Sequence, residues 1–171
     1  MAKLFKNNGV GSYAKYDNYV TSKEGWDCIK KYIPDNNPKV WCPFYHGGEV
    51  TDLFDYKNKI HKNKDFFFYE PKKWDIIVDN PPYTIKEKVI KRCVELNKPF
   101  ALLLPLETVE RQYFKKLIAD NENINFTLVI PSKRIKFLKD GGEVSGSNPC
   151  VTCWFLFNIL PASQNNQIIF N

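Results

Sequence analysis

Asn80-Pro81-Pro82-Tyr83 is the stretch of this sequence whose residue types and order are best suited to chemistry. Two consecutive prolines cannot extend a strand ladder, and their carbonyls are left to face a ligand. An exocyclic amine needs two acceptors to hold both of its N–H groups. The Asn80 side-chain oxygen and the Pro81 carbonyl would supply them, drawing the nitrogen toward tetrahedral geometry with its lone pair aimed outward. Tyr83 would add a face on which a planar base stacks, worth about 1–3 kcal/mol. The same residues also read as a plain strand-ending proline turn ahead of a helix capped at Thr84, and the two roles are compatible. Few other groups compete for a chemical role. His46 and His61 are the only histidines and have no matched partner, and Cys150-Val-Thr-Cys153 has zinc-like spacing but no second pair, so no metal is expected. The five cysteines are odd in number and mostly sit in apolar runs, as reduced core thiols do.

The turn needs elements to hold it. Trp74-Asp75-Ile76-Ile77-Val78 leads into it as a β-branched run without polar alternation, the mark of a strand covered on both faces. After it, a Thr84…Glu87 capping box opens a helix to about residue 97, with Ile85, Val89, Cys93 and Leu96 on one face. A Thr21…Glu24 box opens a helix over 22–33, and Val109, Tyr113 and Leu117 mark a third helix ending near 120. Residues 49–56 have room for about two helical turns. Further strands are expected at 40–42, around Ile60, and at 100–104, 126–130, 151–159 and 168–170. The aromatics Phe67 and Phe68 read as core. Strands alternating with amphipathic helices predict an α/β fold, an open, mostly parallel sheet wound on both faces, with ligands beyond the carboxyl ends of its strands. The loop at 43–48, Asp65-Phe66 and Asn80–Tyr83 then share one rim.

The 171 residues allow one domain, read as an N-terminal arm at 1–18 and a catalytic domain at 19–171. A hydrophobic content of 43% is ample for a core and excludes default disorder. The formal charge is +6, and Arg92, Arg111 and Arg134 are the only arginines among 25 basic residues. Lysine is a point charge suited to phosphates, whereas base reading usually uses the arginine fork, so this surplus fits backbone attraction better than sequence readout. The first residues contain no apolar run of the kind found in signal peptides, and no stretch approaches the ~18 apolar residues of a membrane span. A soluble, cytoplasmic protein with no membrane partner is the expectation.

From about Tyr13 to Phe170 the chain resembles the small adenine-N6 methyltransferases of phages and prophages, within the class I, S-adenosylmethionine-dependent amino-methyltransferases. The Asn-Pro-Pro-Tyr element carries most of the resemblance. Val40-Trp41-Cys42-Pro43-Phe44, Asp65-Phe66-Phe67, Lys98-Pro99-Phe100 through Pro105, Lys133-Arg134-Ile135-Lys136-Phe137 and the Trp154 strand follow in the same order. The resemblance implies a Rossmann-like domain with a trimmed first crossover, S-adenosylmethionine as cofactor, and methyl transfer to the adenine N6 amine of a nucleic acid, DNA favoured over RNA. It assigns Asn80, Pro81, Pro82 and Tyr83 to the target amine and Thr21 to the methionine carboxylate, although helix capping is an equal reading of Thr21. It assigns Pro43 and Phe44 to the cofactor wall, with Gly47 and Gly48 allowing close backbone approach. Asp65 would accept from the cofactor's adenine amino group, and Phe66 would pack on that adenine. Lys133, Arg134, Lys136 and Lys139, beside Phe137, would contact the phosphates of a flipped or single-stranded base.

Three departures stand out. Many relatives carry an acid before the Pro-Phe and a Gly-x-Gly after it, whereas here Cys42 and Tyr45-His46-Gly47-Gly48 occupy those places. No ribose-gripping acid is evident after the second strand, leaving Glu49, Asp52 and Asp55 as substitutes. With no separate recognition domain, low specificity, a homodimer or a second subunit is expected. The alternatives are a methyltransferase for guanine N2 in RNA or for a protein glutamine, and a non-catalytic nucleic-acid-binding or partner subunit. The Lys, Asn and Ile excess fits an AT-rich coding genome, hence a bacterial or virus-infected cytoplasm.

Overall fold

The computed structural model describes residues 20–48, 50–139, 142–143 and 150–171; the expected arm at 1–18 lies outside them. In chain order the elements are β1 (Val20–Thr21), α1 (Lys23–Lys30), β2 (Val40–Cys42), α2 (Val50–Leu53), β3 (Lys59–His61), β4 (Ile76–Asp79) and α3 (Lys86–Glu95). There follow β5 (Phe100–Pro105), α4 (Gln112–Asp120), β6 (Phe126–Ile130), β7 (Phe137–Lys139), β8 (Gly142–Glu143), β9 (Thr152–Phe157) and β10 (Gln167–Phe170). Seven strands form one mostly parallel sheet in the order β10-β6-β9-β5-β4-β2-β3. Only β9 runs antiparallel in it, between β5 and β6. The chain is therefore α/β, as its alternating pattern predicts. No helix among the described residues is long and apolar enough to cross a membrane.

β4, β5 and β9 are buried at every residue, which is why their sequences lack polar alternation. Successive side chains still go to opposite faces. Ile76, Val78, Ala101, Leu103, Trp154 and Leu156 pack with Trp26 and Ile29 of α1. Ile77, Leu102, Leu104, Phe155 and Phe157 pack with Val89, Ile90 and Cys93 of α3 and Phe114 of α4. Helices thus cover both faces. From β2 the chain steps outward to β3, and β4 returns on the other side of β2. That reversal makes the carboxyl ends of β2 and β4 a topological switch point, the place where open α/β sheets form a ligand crevice.

Several local expectations are corrected. Ser22, not Thr21, caps α1, accepting from Gly25 N at 3.4 Å, while Thr21 is drawn into β1 by pairing with Phe137. Thr84 lies inside a 3-10 turn spanning Tyr83–Ile85, so the second helix proper begins at Lys86, later than the box at Thr84 implies. α2 is a single turn. The third helix is split, because Arg111 is extended (ψ 136°) between a 3-10 turn at Leu106–Glu110 and α4. Phe68 is not core; it is 88% exposed, at the tip of the turn that buries Phe66.

β1, β7 and β8 form a second, three-stranded sheet that the sequence pattern did not predict. The basic segment 133–136 therefore leads directly into β7. Ile135 and Phe137 point inward, while Arg134 and Lys136 are exposed. Gly25 is where α1 meets this segment: a Cβ there would lie 2.6 Å from Thr21 Cγ2 and 2.8 Å from Ile135 Cγ2. The absent side chain lets helix, β1 and basic segment meet.

Candidate functional site

The site is assembled at the switch point from the ends of β2 and β4. β4 ends in Asp79, which is 0% exposed, and its carboxylate spans the two strand ends. Oδ2 accepts from Phe44 N at 2.6 Å and Oδ1 from Asn80 N at 2.8 Å. One side chain thus fixes the chain leaving β2 against the chain leaving β4. Burial pushes the Asp79 carboxyl well above the usual carboxylate range, and the two N–H donors oppose that shift. Sequence reading missed Asp79 because an acid at a strand end usually meets solvent. The available signal was that it closes an otherwise unbroken apolar run.

Asn80 is 4% exposed and Pro81 is buried, with Pro82 and Tyr83 half-buried. Tyr83 packs at the margin of both core clusters, so its ring straddles the end of the sheet. The Pro82 carbonyl accepts from Ile85 N at 3.3 Å and the Tyr83 carbonyl from Lys86 Nζ at 3.2 Å. Those two carbonyls are engaged in the turn itself. The acceptors assigned to an amine, on Asn80 and Pro81, precede them.

Across the crevice, Pro43 and Phe44 are buried. Phe44 lies 5.2 Å from the Phe66 ring, which also meets Trp41 and Phe67 at 5.4 Å each. Arg92 of α3 donates from Nε to the Phe66 carbonyl at 2.8 Å, with its guanidinium 5.4 Å from the ring centre. Phe66 is consequently 4% exposed and serves the wall as packing more than as an open stacking face. Asp65 is half-buried and organises its own turn, Oδ1 accepting from Phe67 N at 2.8 Å and its carbonyl from Tyr69 N at 2.9 Å. Gly47 and Gly48 both take left-handed backbone (φ 73° and 96°). At Gly48 the close neighbour is the Tyr45 ring, whose hydroxyl would lie 3.1 Å from an added Cβ.

His61, unassigned from sequence, braces this loop. Its Nδ1 lies 3.0 Å from the Cys42 carbonyl and Nε2 3.2 Å from that of Tyr45, with the ring stacked on Tyr45 at 5.0 Å. Burial holds the imidazole below its usual pKa, against the pull of those carbonyls. No spacing rule flags such a contact. Of the substitute ribose acids, Asp52 and Asp55 are exposed and Glu49 lies outside the described residues.

Thr21 is 2% exposed, and its hydroxyl is a buried group with no hydrogen-bond partner among the described residues. Because Ser22 takes the cap, the Thr21 hydroxyl remains for another acceptor or donor. Ser22 N donates to the Lys136 carbonyl at 3.1 Å, which sets the basic segment beside Thr21. Lys133, Arg134 and Lys136 are exposed there, whereas the expected aromatic companion Phe137 is core. Lys139 belongs to β7, and its side chain lies outside the described residues. Ser22→Ala should lower unfolding stability by about 1 kcal/mol through loss of the cap. Thr21→Val should leave stability within about 0.5 kcal/mol or raise it, since it removes an unpartnered buried hydroxyl. Urea unfolding of both variants checks this contrast.

Among the described residues, no three His, Cys, Asp or Glu side chains cluster as metal ligands. Burial raises the thiols of Cys42 and Cys93 well above their ordinary value and that of Cys153 to about 12, so none of these three is a thiolate near neutrality. The ends of β2 and β4 offer acceptors and aromatic walls, with Asp79 as the buried carboxyl between them. Such a set can orient an amine and a flat ring. No protein-family model matches this chain, and no curated protein matches it.

Proposed function

We propose that this protein is a class I, S-adenosylmethionine-dependent methyltransferase acting on the N6 amine of adenine in nucleic acid, with DNA favoured over RNA. The observation that carries this reading is the junction of Asn80-Pro81 with Pro43-Phe44 across the switch point, tied by Asp79. The seven-stranded sheet, with helices on both faces and a short passage from β2 to β3, is compatible with the Rossmann-like fold the resemblance implies.

The residues present fit the cofactor at its methionine end, where the Thr21 hydroxyl, buried and without a partner among the described residues, would be available to a carboxylate. Phe44 and Asp65 would border its adenine. When bound, S-adenosylmethionine supplies an electrophilic sulfonium methyl, so the protein's task is positioning more than proton abstraction. Asn80 and the Pro81 carbonyl hold the amine N–H groups and aim the nitrogen lone pair. Tyr83 stacks on the base. Lys133, Arg134 and Lys136 hold the backbone of an unpaired or flipped strand. Incubating the protein with methyl-labelled cofactor and DNA or RNA, followed by nucleoside mass spectrometry, should yield N6-methyladenine. Label in N2-methylguanine or in protein glutamine instead would replace the reading with one of its enzymatic rivals.

A second reading, a nucleic-acid-binding partner subunit without turnover, is favoured by Phe66. Its ring is 4% exposed and leaves little face for a cofactor's adenine. Titration calorimetry separates the two. No heat of binding at millimolar S-adenosylmethionine favours the subunit.

A further inference from the structure

The two edges of the large sheet differ in charge. At one edge, β3 contains Lys59 and is flanked by Lys57, Lys62 and Lys64. The other edge is β10, and residues 161–171 around it contain no charged side chain, in a chain of which 26% is charged. Soluble proteins commonly blunt exposed edge strands with charge or proline to prevent pairing with another chain. β3 is guarded in this way; Gln167-Ile168-Ile169-Phe170 is not. No described strand pairs with the outer side of β10. Ile168 and Phe170 are 58% and 80% exposed and, being two residues apart in a strand, share a face. Ile169 turns the other way and packs on the core beneath α1.

We propose that the outer edge of β10 docks a second copy of this chain, by antiparallel pairing of β10 with its own counterpart about a two-fold axis. Two chains of formal charge +6 repel, so contact between copies is favoured where neither carries charge. Along Gln167–Phe170 itself neither an acidic partner nor a nucleic acid finds a charged side chain to engage, and Lys31, at the end of the strand, already donates to the Asn171 side chain. The strand is self-complementary: with Ile169 facing Ile169 of the second copy, Ile168 lies opposite Phe170 on the exposed face in both halves of the pair. A contact of one short strand and two apolar side chains per copy falls below the roughly 1,200–2,000 Å² of a standard stable interface. The dimer is accordingly weak, with a Kd on the order of 10 μM. β2, β4, β5, β6 and β10 all run in one direction, so the two-fold inverts the second copy. The two crevices at Asn80 then open toward opposite ends of a continuous sheet.

Sedimentation velocity of nuclease-treated full-length chain, from about 1 to about 200 μM, is the test. The mass should rise from 20.0 kDa toward twice that value and persist at about 1 M salt, where exposed charges are screened. I168K/F170K should remain monomeric throughout, with the unfolding temperature of the dilute parent chain. Phe68→Lys, at an exposed aromatic elsewhere, should leave association unchanged. A parent chain monomeric at the highest concentration overturns the proposal, whether nothing covers β10 or residues 1–18 of the same chain do. Association that is lost at high salt, survives I168K/F170K or is abolished by Phe68→Lys also overturns it.

Discussion

Asn80→Ala is expected to lower methyl transfer to a DNA oligonucleotide by about a thousandfold while leaving S-adenosylmethionine binding within about twofold, a loss comparable to removing one preorganised polar group that acts on transition-state charge. In the proposed methyl transfer the amine nitrogen would start nearly planar and gain positive charge as the carbon–nitrogen bond forms. Two acceptors on its N–H groups strengthen as that charge grows, and Ala removes one of them. The effect should therefore fall on kcat more than on KM. The bond from Asn80 N to Asp79 does not involve the Asn80 side chain and is kept in the variant. Asn80→Asp retains an acceptor and should recover part of the rate. Single-turnover transfer of labelled methyl, beside calorimetry with the cofactor, separates the two effects. Near-normal transfer by Asn80→Ala would mean that the amine is held by other groups.

The largest effect on stability is expected at Asp79. Asp79→Ala strips the acceptors from Phe44 N and Asn80 N, and each buried N–H left unsatisfied costs about 1–3 kcal/mol. A combined loss of about 2–6 kcal/mol is a large share of the 5–15 kcal/mol typical of a domain, so this variant should unfold at a markedly lower temperature and urea concentration than the parent. Asp79→Asn keeps one acceptor but turns an NH2 toward the other donor, at a cost of about 1–3 kcal/mol. The pH dependence follows from the raised pKa of the folded carboxyl. Between the unfolded value near 4 and the raised folded value, the native state holds the extra proton, so stability falls as pH rises through that interval. Urea unfolding from about pH 4 to about pH 8 should show the stability gap between parent and Asp79→Asn narrowing as pH rises. A gap that widens instead would mean that the two N–H donors hold Asp79 ionised despite its burial.

The sheet was legible because its strands are covered on both faces. Ile76-Ile77-Val78 and Phe100 through Leu104 can hardly be anything but buried runs bounded by Pro, Asn or Asp. Thr21 and Ser22 were not separable by pattern: both can cap, and the choice is made by Phe137, a residue far along the chain that pulls Thr21 into β1. The small sheet was hidden for the same reason, since strands of two or three residues have too little period of their own. Phe66, Phe67 and Phe68 look alike in sequence, yet the turn closed by Asp65 buries the first and exposes the last. At the crevice, Asn80-Pro81-Pro82-Tyr83 announced itself by composition. Asp79 and His61 act through backbone partners, and no residue-type pattern encodes those.

The antiparallel strand β9 has a bearing on how the chain comes to exist. It lies between β5 and β6, yet is made after both, and Trp154 within it donates to the Gly25 carbonyl 129 residues upstream. Until β9 leaves the ribosome, β5 and β6 have open facing edges and α1 lacks the indole that anchors it. Native contacts this distant in sequence favour slow, late and cooperative folding. A nascent chain stalled before residue 152 should therefore display apolar strand edges to chaperones instead of a partly finished crevice.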